Sequence, residues 1–138
     1  MFVATRFTLF SGVALTANVY SKWIDTRELS DICFQLGCDG TGSPAGTWSF
    51  QGSNDPVVDK EWQGEMVSGG VAIGVSSAAK IVTLTSPTVH GSSLDITGSS
   101  ATGTIAGYDT GLPRYMRVKY TRTSGGTASS AYCFCTAH

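Results

Sequence analysis

The apolar and polar residues of this chain alternate over many short stretches. Alternation first appears in Phe2–Phe10 and, after a break at Ser11-Gly12, again in Val13–Val19. Asp31–Leu36 and Thr47–Ser53 continue the pattern. A period of two is typical of strands that bury one face. The further candidate strands are Ile81–Thr85, Leu94–Thr97, Thr102–Tyr108, Arg114–Arg122 and Ala128–Thr136.

The last two candidates flank a Gly-Gly pair. In Arg114–Arg122, the residues Met116, Val118 and Tyr120 would share one face, and in the final strand Tyr132 and Phe134 would share another. Two alternating runs on either side of a short glycine turn are typical of a β-hairpin. The sequence therefore predicts a hairpin whose tight turn is Ser124-Gly125-Gly126.

Turn-forming residues separate the strands, and one helical turn is predicted, around Asp59–Met66. Asp39–Gly46 is rich in glycine and predicts a loop, and Ser53–Pro56 predicts a turn. Short strands separated by turn signals are typical of a sandwich or barrel. With 138 residues, the chain is expected to be one domain over residues 1–138. The predicted fold is all-β, a jelly-roll-like β-sandwich with little or no helix.

Charge restricts the partners that the chain could bind. The formal net charge is −1, so no broad basic face for nucleic acid is expected. The cations Arg114, Arg117, Lys119 and Arg122 lie together in one strand and are interpreted as solvated or paired. The N-terminus resembles no secretory signal, and no apolar run approaches the ~18 residues of a membrane span. Synthesis in the cytoplasm is expected.

The four cysteines are interpreted as free thiols. Cys133 and Cys135 are two apart in a predicted strand, which places their Cα atoms roughly 6.5–7 Å apart. That separation is at or beyond the limit for a disulfide. A zinc site made of Cys33, Cys38, Cys133, Cys135 and His138 is the alternative, but its spacings differ from the usual C-x2-C knuckle. No metal or other cofactor is predicted.

No catalytic motif is present in the sequence. His90 lies beside a turn and His138 is the last residue. Serine-hydrolase, zinc-protease and nucleotide-binding signatures are missing. The glycine-rich Gly40–Gly46 is not followed by a predicted helix, so it has no N-terminus to hold a phosphate. The chain is expected to be a binding protein and not an enzyme.

The candidate binding residues are two tryptophans and two cations. Trp48 alternates with Phe50 and is assigned to the core. Trp23 and Trp62 lie among polar residues and are candidates for an exposed contact. Arg117 and Lys119 are the candidate cations for binding a partner.

Two sets of motifs resemble known families. Gly46–Asp55 followed by Trp62, together with Arg114–Thr121, resembles discoidin-like (coagulation factor 5/8 type C) sandwiches. The same stretches, with Ile24–Arg27, Ser30–Leu36 and Tyr120–Gly125, resemble the capsid cement (decoration) proteins of tailed bacteriophages, Bordetella phages among them. The second resemblance covers most of the chain from Ile24 onward.

The phage resemblance implies a viral structural protein on the exterior of the virion, made in the host cytoplasm. Such a protein would bridge neighbouring major capsid subunits, often as a homodimer, through strand edges such as the N-terminal strand and the C-terminal hairpin. The discoidin resemblance implies the alternative, a carbohydrate-binding module that binds a cell-surface glycan. The absence of a signal peptide and of a cysteine near the N-terminus departs from that secreted family. Neither interpretation involves nucleic acid or a membrane.

Overall fold

The computed structural model describes residues 5–54, 81–91 and 93–138. Within these ranges the chain forms strands and no helix, which confirms the all-β prediction. The strands are β1 (Thr5–Val13), β2 (Val19–Tyr20), β3 (Ile24–Asp25), β4 (Ile32–Cys38), β5 (Ala45–Ser53), β6 (Val82–Leu84), β7 (Thr88–Gly91), β8 (Asp95–Ile96), β9 (Thr102–Tyr108), β10 (Tyr115–Ser124) and β11 (Ala131–Ala137).

The strands form two antiparallel sheets. The five-stranded sheet has the order β1-β11-β4-β9-β7. The six-stranded sheet has the order β2-β10-β5-β6, with β3 also paired to β10 and β8 also paired to β5. The residues that the two sheets turn toward each other form one hydrophobic cluster. The predicted β-sandwich is therefore confirmed.

Strands from the two ends of the chain pair with each other. The early strand β1 pairs with the late strand β11, and β2 and β3 pair with β10. Further inward along the chain, β4 pairs with β9 and β5 with β6. Successive pairs therefore alternate between the two sheets.

The inward faces of the strands carry the residues that the alternation pattern predicts. Ile32, Phe34 and Leu36 are buried from β4, and Trp48 and Phe50 are buried from β5. Aromatic contacts join the two sheets, because Phe34 stacks on Phe50 with ring centroids 4.8 Å apart. Burying such side chains is the main stabilising term in a domain of this size.

The predicted C-terminal hairpin is wrong. β10 pairs with β2, β3 and β5, whereas β11 pairs with β1 and β4 in the other sheet. The connection between them is an arch that crosses from one sheet to the other. Gly126, at φ +91°, donates its N–H to the carbonyl of Gly42 at 2.9 Å, and a Cβ there would overlap the carbonyl of Leu15. The glycines thus allow close packing of the arch and do not form a tight turn.

The N-terminal strands also differ from the prediction. β1 continues through Ser11-Gly12, where the sequence suggests a break, because register shifts beside Phe10 and Ser11 absorb the irregularity. The second predicted strand, Val13–Val19, does not form: Val13 is the last residue of β1, and Val19 begins the two-residue β2. The predicted helical turn at Asp59–Met66 lies outside the described residues, as do Asp55 and Pro56 of the predicted Ser53–Pro56 turn.

Candidate functional site

The outer face of the six-stranded sheet is covered by the chain itself. We call the surface around Arg117, Tyr20 and Trp23 the covered face. The Arg117 guanidinium carbon lies 4.7 Å from the Tyr20 ring centroid and 4.5 Å from that of Trp23. Its Nε donates a hydrogen bond to Gln51 Oε1 at 2.8 Å. Arg117 is only 3% exposed, so its charge is held by aromatic rings and an amide and not by water.

Backbone hydrogen bonds fix the covering segment in place. The N–H of Ser21 donates to the Val118 carbonyl at 2.9 Å, and Ser21 Oγ accepts from the Val118 N–H at 2.8 Å. On either side of Ser21, β2 and β3 pair with β10. Trp23 lies between these two short strands, which positions its ring over Arg117.

These positions correct two expectations about the candidate binding residues. Trp23 is 1% exposed, so the expectation of an exposed contact is wrong for it; its polar sequence neighbours hide its stacking on Arg117. Arg117 is also no surface cation, because Gln51 and two rings enclose it. Lys119 stays partly exposed, with Nζ 5.5 Å from the Tyr20 centroid. Trp62 lies outside the described residues.

Over the central rows of the outer face of the five-stranded sheet, the described residues form no such cover. We call this surface the open face. The residues of the open face are identified from the strand register, because outward-pointing residues pair directly with outward-pointing residues of the neighbouring strands. Its members are Arg6, Thr8, Ser11, Thr136, Phe134, Tyr132, Cys33, Gln35, Gly37, Gly107, Ile105, Gly103, Thr88 and His90. Among these described positions none is an aspartate or a glutamate.

Two aromatic rings lie at the centre of the open face. Tyr132 and Phe134 stack with centroids 5.1 Å apart and an interplanar angle of 27°. Phe134 is 38% exposed, and Ile105 is 40% exposed. A Cβ at Gly37 would overlap the hydroxyl end of Tyr132, so the tyrosine ring reaches across β4 because that position has no side chain.

The two lateral margins of the sandwich differ in how they are protected. β1 lies at one edge of the five-stranded sheet and contains two register shifts. β7 lies at the other described edge and pairs regularly with β9. β6 is the neighbouring edge of the other sheet, and residues 81–91 include no charged residue. We call β6, β7 and the residues between them the β6–β7 margin; it exposes 55% of Val82 and 41% of Val89.

All four cysteines are free thiols in the structure. Cys133 and Cys135 point into the core, whereas Cys33 is on the open face. Burial raises the pKa of the Cys135 thiol to about 12 and also raises the pKa of Cys133. Burial, with the nearby Asp31 carboxylate, raises the pKa of Cys33. The buried thiols therefore pack as small apolar groups.

The residues of the alternative zinc site do not form a ligand cluster in the described part of the chain. No group of three or more His, Cys, Asp or Glu side chains there is placed to hold a metal ion. The proposed ligands lie apart because Cys33 and Cys135 point to opposite faces of one sheet. His138 instead contacts the Asp31 carboxylate, with Nδ1 2.8 Å from Oδ1.

The sequence pattern does not decide on which face of β11 the aromatic pair of the open face lies. In β11 both alternating sets are apolar, since Ala131, Cys133 and Cys135 alternate with Tyr132 and Phe134. The larger residues would usually be assigned to the core. The deciding signal is the glycine of the adjacent strand at position 37, which leaves room for a ring on the outer side.

Within the described ranges, the chain has no helix of sufficient length and apolar character to cross a membrane. Comparisons with protein-family models, with curated proteins and with solved structures found no match for this chain.

Proposed function

We propose that this protein is a non-enzymatic cement protein, which binds the capsid of a tailed bacteriophage and bridges neighbouring major capsid subunits. The observation that carries the proposal is the β6–β7 margin, where the outermost described strands of the two sheets lie side by side and residues 81–91 carry no charged side chain. The motif resemblance to phage decoration proteins supplies the class of partner. A capsid exterior is the location that this function requires.

The β6–β7 margin has the properties of a strand-pairing edge. An edge strand presents unpaired N–H and C=O groups, and soluble proteins usually protect such edges with charges, bulges or prolines. β7 is regular and uncharged, whereas the opposite edge strand β1 is interrupted by two register shifts. An extended segment of a capsid subunit could therefore add to β7 and pack on Val82 and Val89.

Many weak contacts of this kind suffice to stabilise a shell. Each copy of a decoration protein contributes one small apolar contact, and the repeated lattice makes the sum effectively permanent. The contact should depend little on salt, because screening over a Debye length of roughly 8–10 Å affects charges and not apolar packing. The near-neutral composition of the chain agrees with this mode of binding.

The test is co-sedimentation with shells assembled from the major capsid protein encoded in the same genome. We expect the unaltered protein to sediment with the shells in fixed stoichiometry, at low and at moderate salt. The double variant Val82→Lys/Val89→Lys should lose this binding, since two ammonium groups would be buried in the contact. Thr121→Lys/Thr123→Lys is the matched control, because both threonines are β-branched, exposed and in β10, away from the margin.

The outcomes separate the parts of the proposal. If both double variants still bind, the β6–β7 margin is not the contact. If the unaltered protein fails to sediment with shells, the cement function itself is wrong. Sedimentation velocity of the free protein tests the expected homodimer, whose edge is either β1 or this margin.

The alternative function, a carbohydrate-binding module with exposed tryptophans, loses one of its two candidates. Trp23 is enclosed on the covered face, so it cannot offer a ring to a sugar. The exposed aromatic rings are instead on a sheet face.

A further inference from the structure

One row of side chains crosses the open face and alternates in polarity from strand to strand. Thr8 is paired with Phe134, which is paired with Gln35, and Gln35 is paired with Ile105. Directly opposed residues have Cβ atoms about 4.5–5.5 Å apart. A hydroxyl, a ring, an amide and an alkyl group therefore stand side by side across four strands.

Phe134 is the exposed aromatic element of this row. Tyr132 stacks against it, with ring centroids 5.1 Å apart, and holds it in position. Even so, 38% of Phe134 remains exposed. A ring supported by a second ring loses little conformational freedom when a ligand packs on it.

Glycines lower the surface beside the rings. Gly103 lies on the outer side of β9, and among the described residues a Cβ there would have one near neighbour, the Tyr132 hydroxyl at 3.6 Å. The described side chains therefore leave the space over Gly103 open, and the neighbouring Ile105 is 40% exposed. The open face has a shallow recess next to its aromatic pair.

Charge and size both indicate the type of occupant. The described open face has no carboxylate, and its one arginine, Arg6, lies in the edge strand β1. An ionic ligand would find no cluster of opposite charge there. Four strand spacings and four residues along a strand give about 19 Å by about 14 Å between the outer Cα positions, which is enough room for a short saccharide. A stable protein partner buries about 800 Å² of accessible surface on each side, so a second copy would have to extend beyond this face to the surrounding edges and loops.

We propose that the open face binds a neutral saccharide. The apolar face of a sugar ring packs on Phe134, and hydroxyl groups of the sugar exchange hydrogen bonds with the Gln35 amide, which offers two donors and an acceptor. The recess over Gly103 takes the neighbouring part of the ligand. This site does not depend on the β6–β7 margin, so it stands or falls independently of the cement function.

The test begins with an array of neutral and anionic glycans, probed with the full chain. The neutral oligosaccharide with the strongest signal is then titrated into ¹⁵N-labelled protein. We expect the amide resonances of Gly37 and Gly103 to shift, while those of the six-stranded sheet stay unchanged. Anionic glycans should give no stronger signal than their neutral counterparts.

Variants of one exposed residue separate sugar stacking from general apolar docking. Phe134→Leu keeps an apolar side chain but removes the ring, and should weaken binding about tenfold. Phe134→Tyr should keep the affinity. Gly103→Val fills the recess without forcing the backbone and should abolish binding, whereas Thr121→Val, on the outer side of the other sheet, should have no effect. The spectra report directly whether each variant is folded.

Three results would overturn the proposal. One is the absence of any shift at Gly37 and Gly103 at millimolar oligosaccharide. Another is undiminished binding by Phe134→Leu, which would mean that the ring is not used. The third is a concentration-dependent dimer that Phe134→Lys dissociates, which would make a second copy the occupant.

Discussion

The outer faces of the two sheets differ in how far their side chains are exposed. On the covered face, the segment from β2 to β3 lies against β10 and encloses Arg117 between Tyr20 and Trp23. On the open face, Phe134 and Ile105 remain exposed. One sheet therefore uses its outer aromatic residues to stabilise the fold, and the other leaves them available to a ligand.

The largest expected effect is on the covered face. Arg117→Ala removes two cation–π contacts and the hydrogen bond to Gln51, and should lower the free energy of unfolding by about 3 kcal/mol. A loss of that size corresponds to a fall in Tm of roughly 10 °C for a domain of this length. Thermal and urea unfolding would measure it.

Lys119→Ala is the internal control for that measurement. Lys119 follows Arg117 on the same side of β10 but contacts only Tyr20 among the described rings. Its removal should cost less than about 1 kcal/mol, as is usual for an exposed cation. Equal losses for the two variants would mean that the covered face is not a distinct stabilising unit.

A smaller effect is expected on the open face. Phe134→Ala removes one stacking partner and an exposed ring, and should lower the free energy of unfolding by about 1 kcal/mol. Phe34→Ala, in the adjacent strand but facing the core, should cost about 3–5 kcal/mol. Urea unfolding of the two variants compares the two sides of one sheet; a loss above 3 kcal/mol for Phe134→Ala would show that the open face is part of the stabilising core.

The smallest effect is chemical and leaves the fold intact. At pH 8, iodoacetamide should label Cys33 and leave Cys133 and Cys135 unreacted until the protein is unfolded, because only Cys33 is exposed. The thiolate is the reactive form, and the raised pKa of Cys33 keeps it scarce at this pH. The labelling rate should therefore rise about tenfold per pH unit below that pKa. Mass spectrometry would identify the labelled residue, and early labelling of Cys135 would contradict the assignment of faces.

Alternation along the sequence was sufficient to predict several strands and their buried sides. In β4 and β5 a single set of large apolar residues marks the inner face, and Phe34, Trp48 and Phe50 of that set are buried. In β11 both sets are apolar, and only the pairing with Gly37 decides that Tyr132 and Phe134 point outward. Alternation therefore predicts the buried face of a strand when only one of its two sets of side chains is apolar.

Partners across the sheet could not be predicted in the same way. β10 and β11 alternate as the two strands of a hairpin would, yet each pairs with strands from the first half of the chain. A glycine pair permits a tight turn and also an arch that packs closely on another loop. The enclosure of Arg117 could not be predicted either, because Trp23 and Tyr20 are far from it in sequence.

The position of β11 has a consequence for the order in which the protein is made. β11 lies between β1 and β4, so β1 lacks its one described partner strand until residues 131–137 have left the ribosome. Contacts between distant parts of a chain also slow folding, because the loop must close before the contacts stabilise it. We expect a nascent chain ending at Ser130 to lack the five-stranded sheet and to be degraded by added protease faster than the full chain. Folding of this sandwich thus depends on the prior synthesis of residues 131–137.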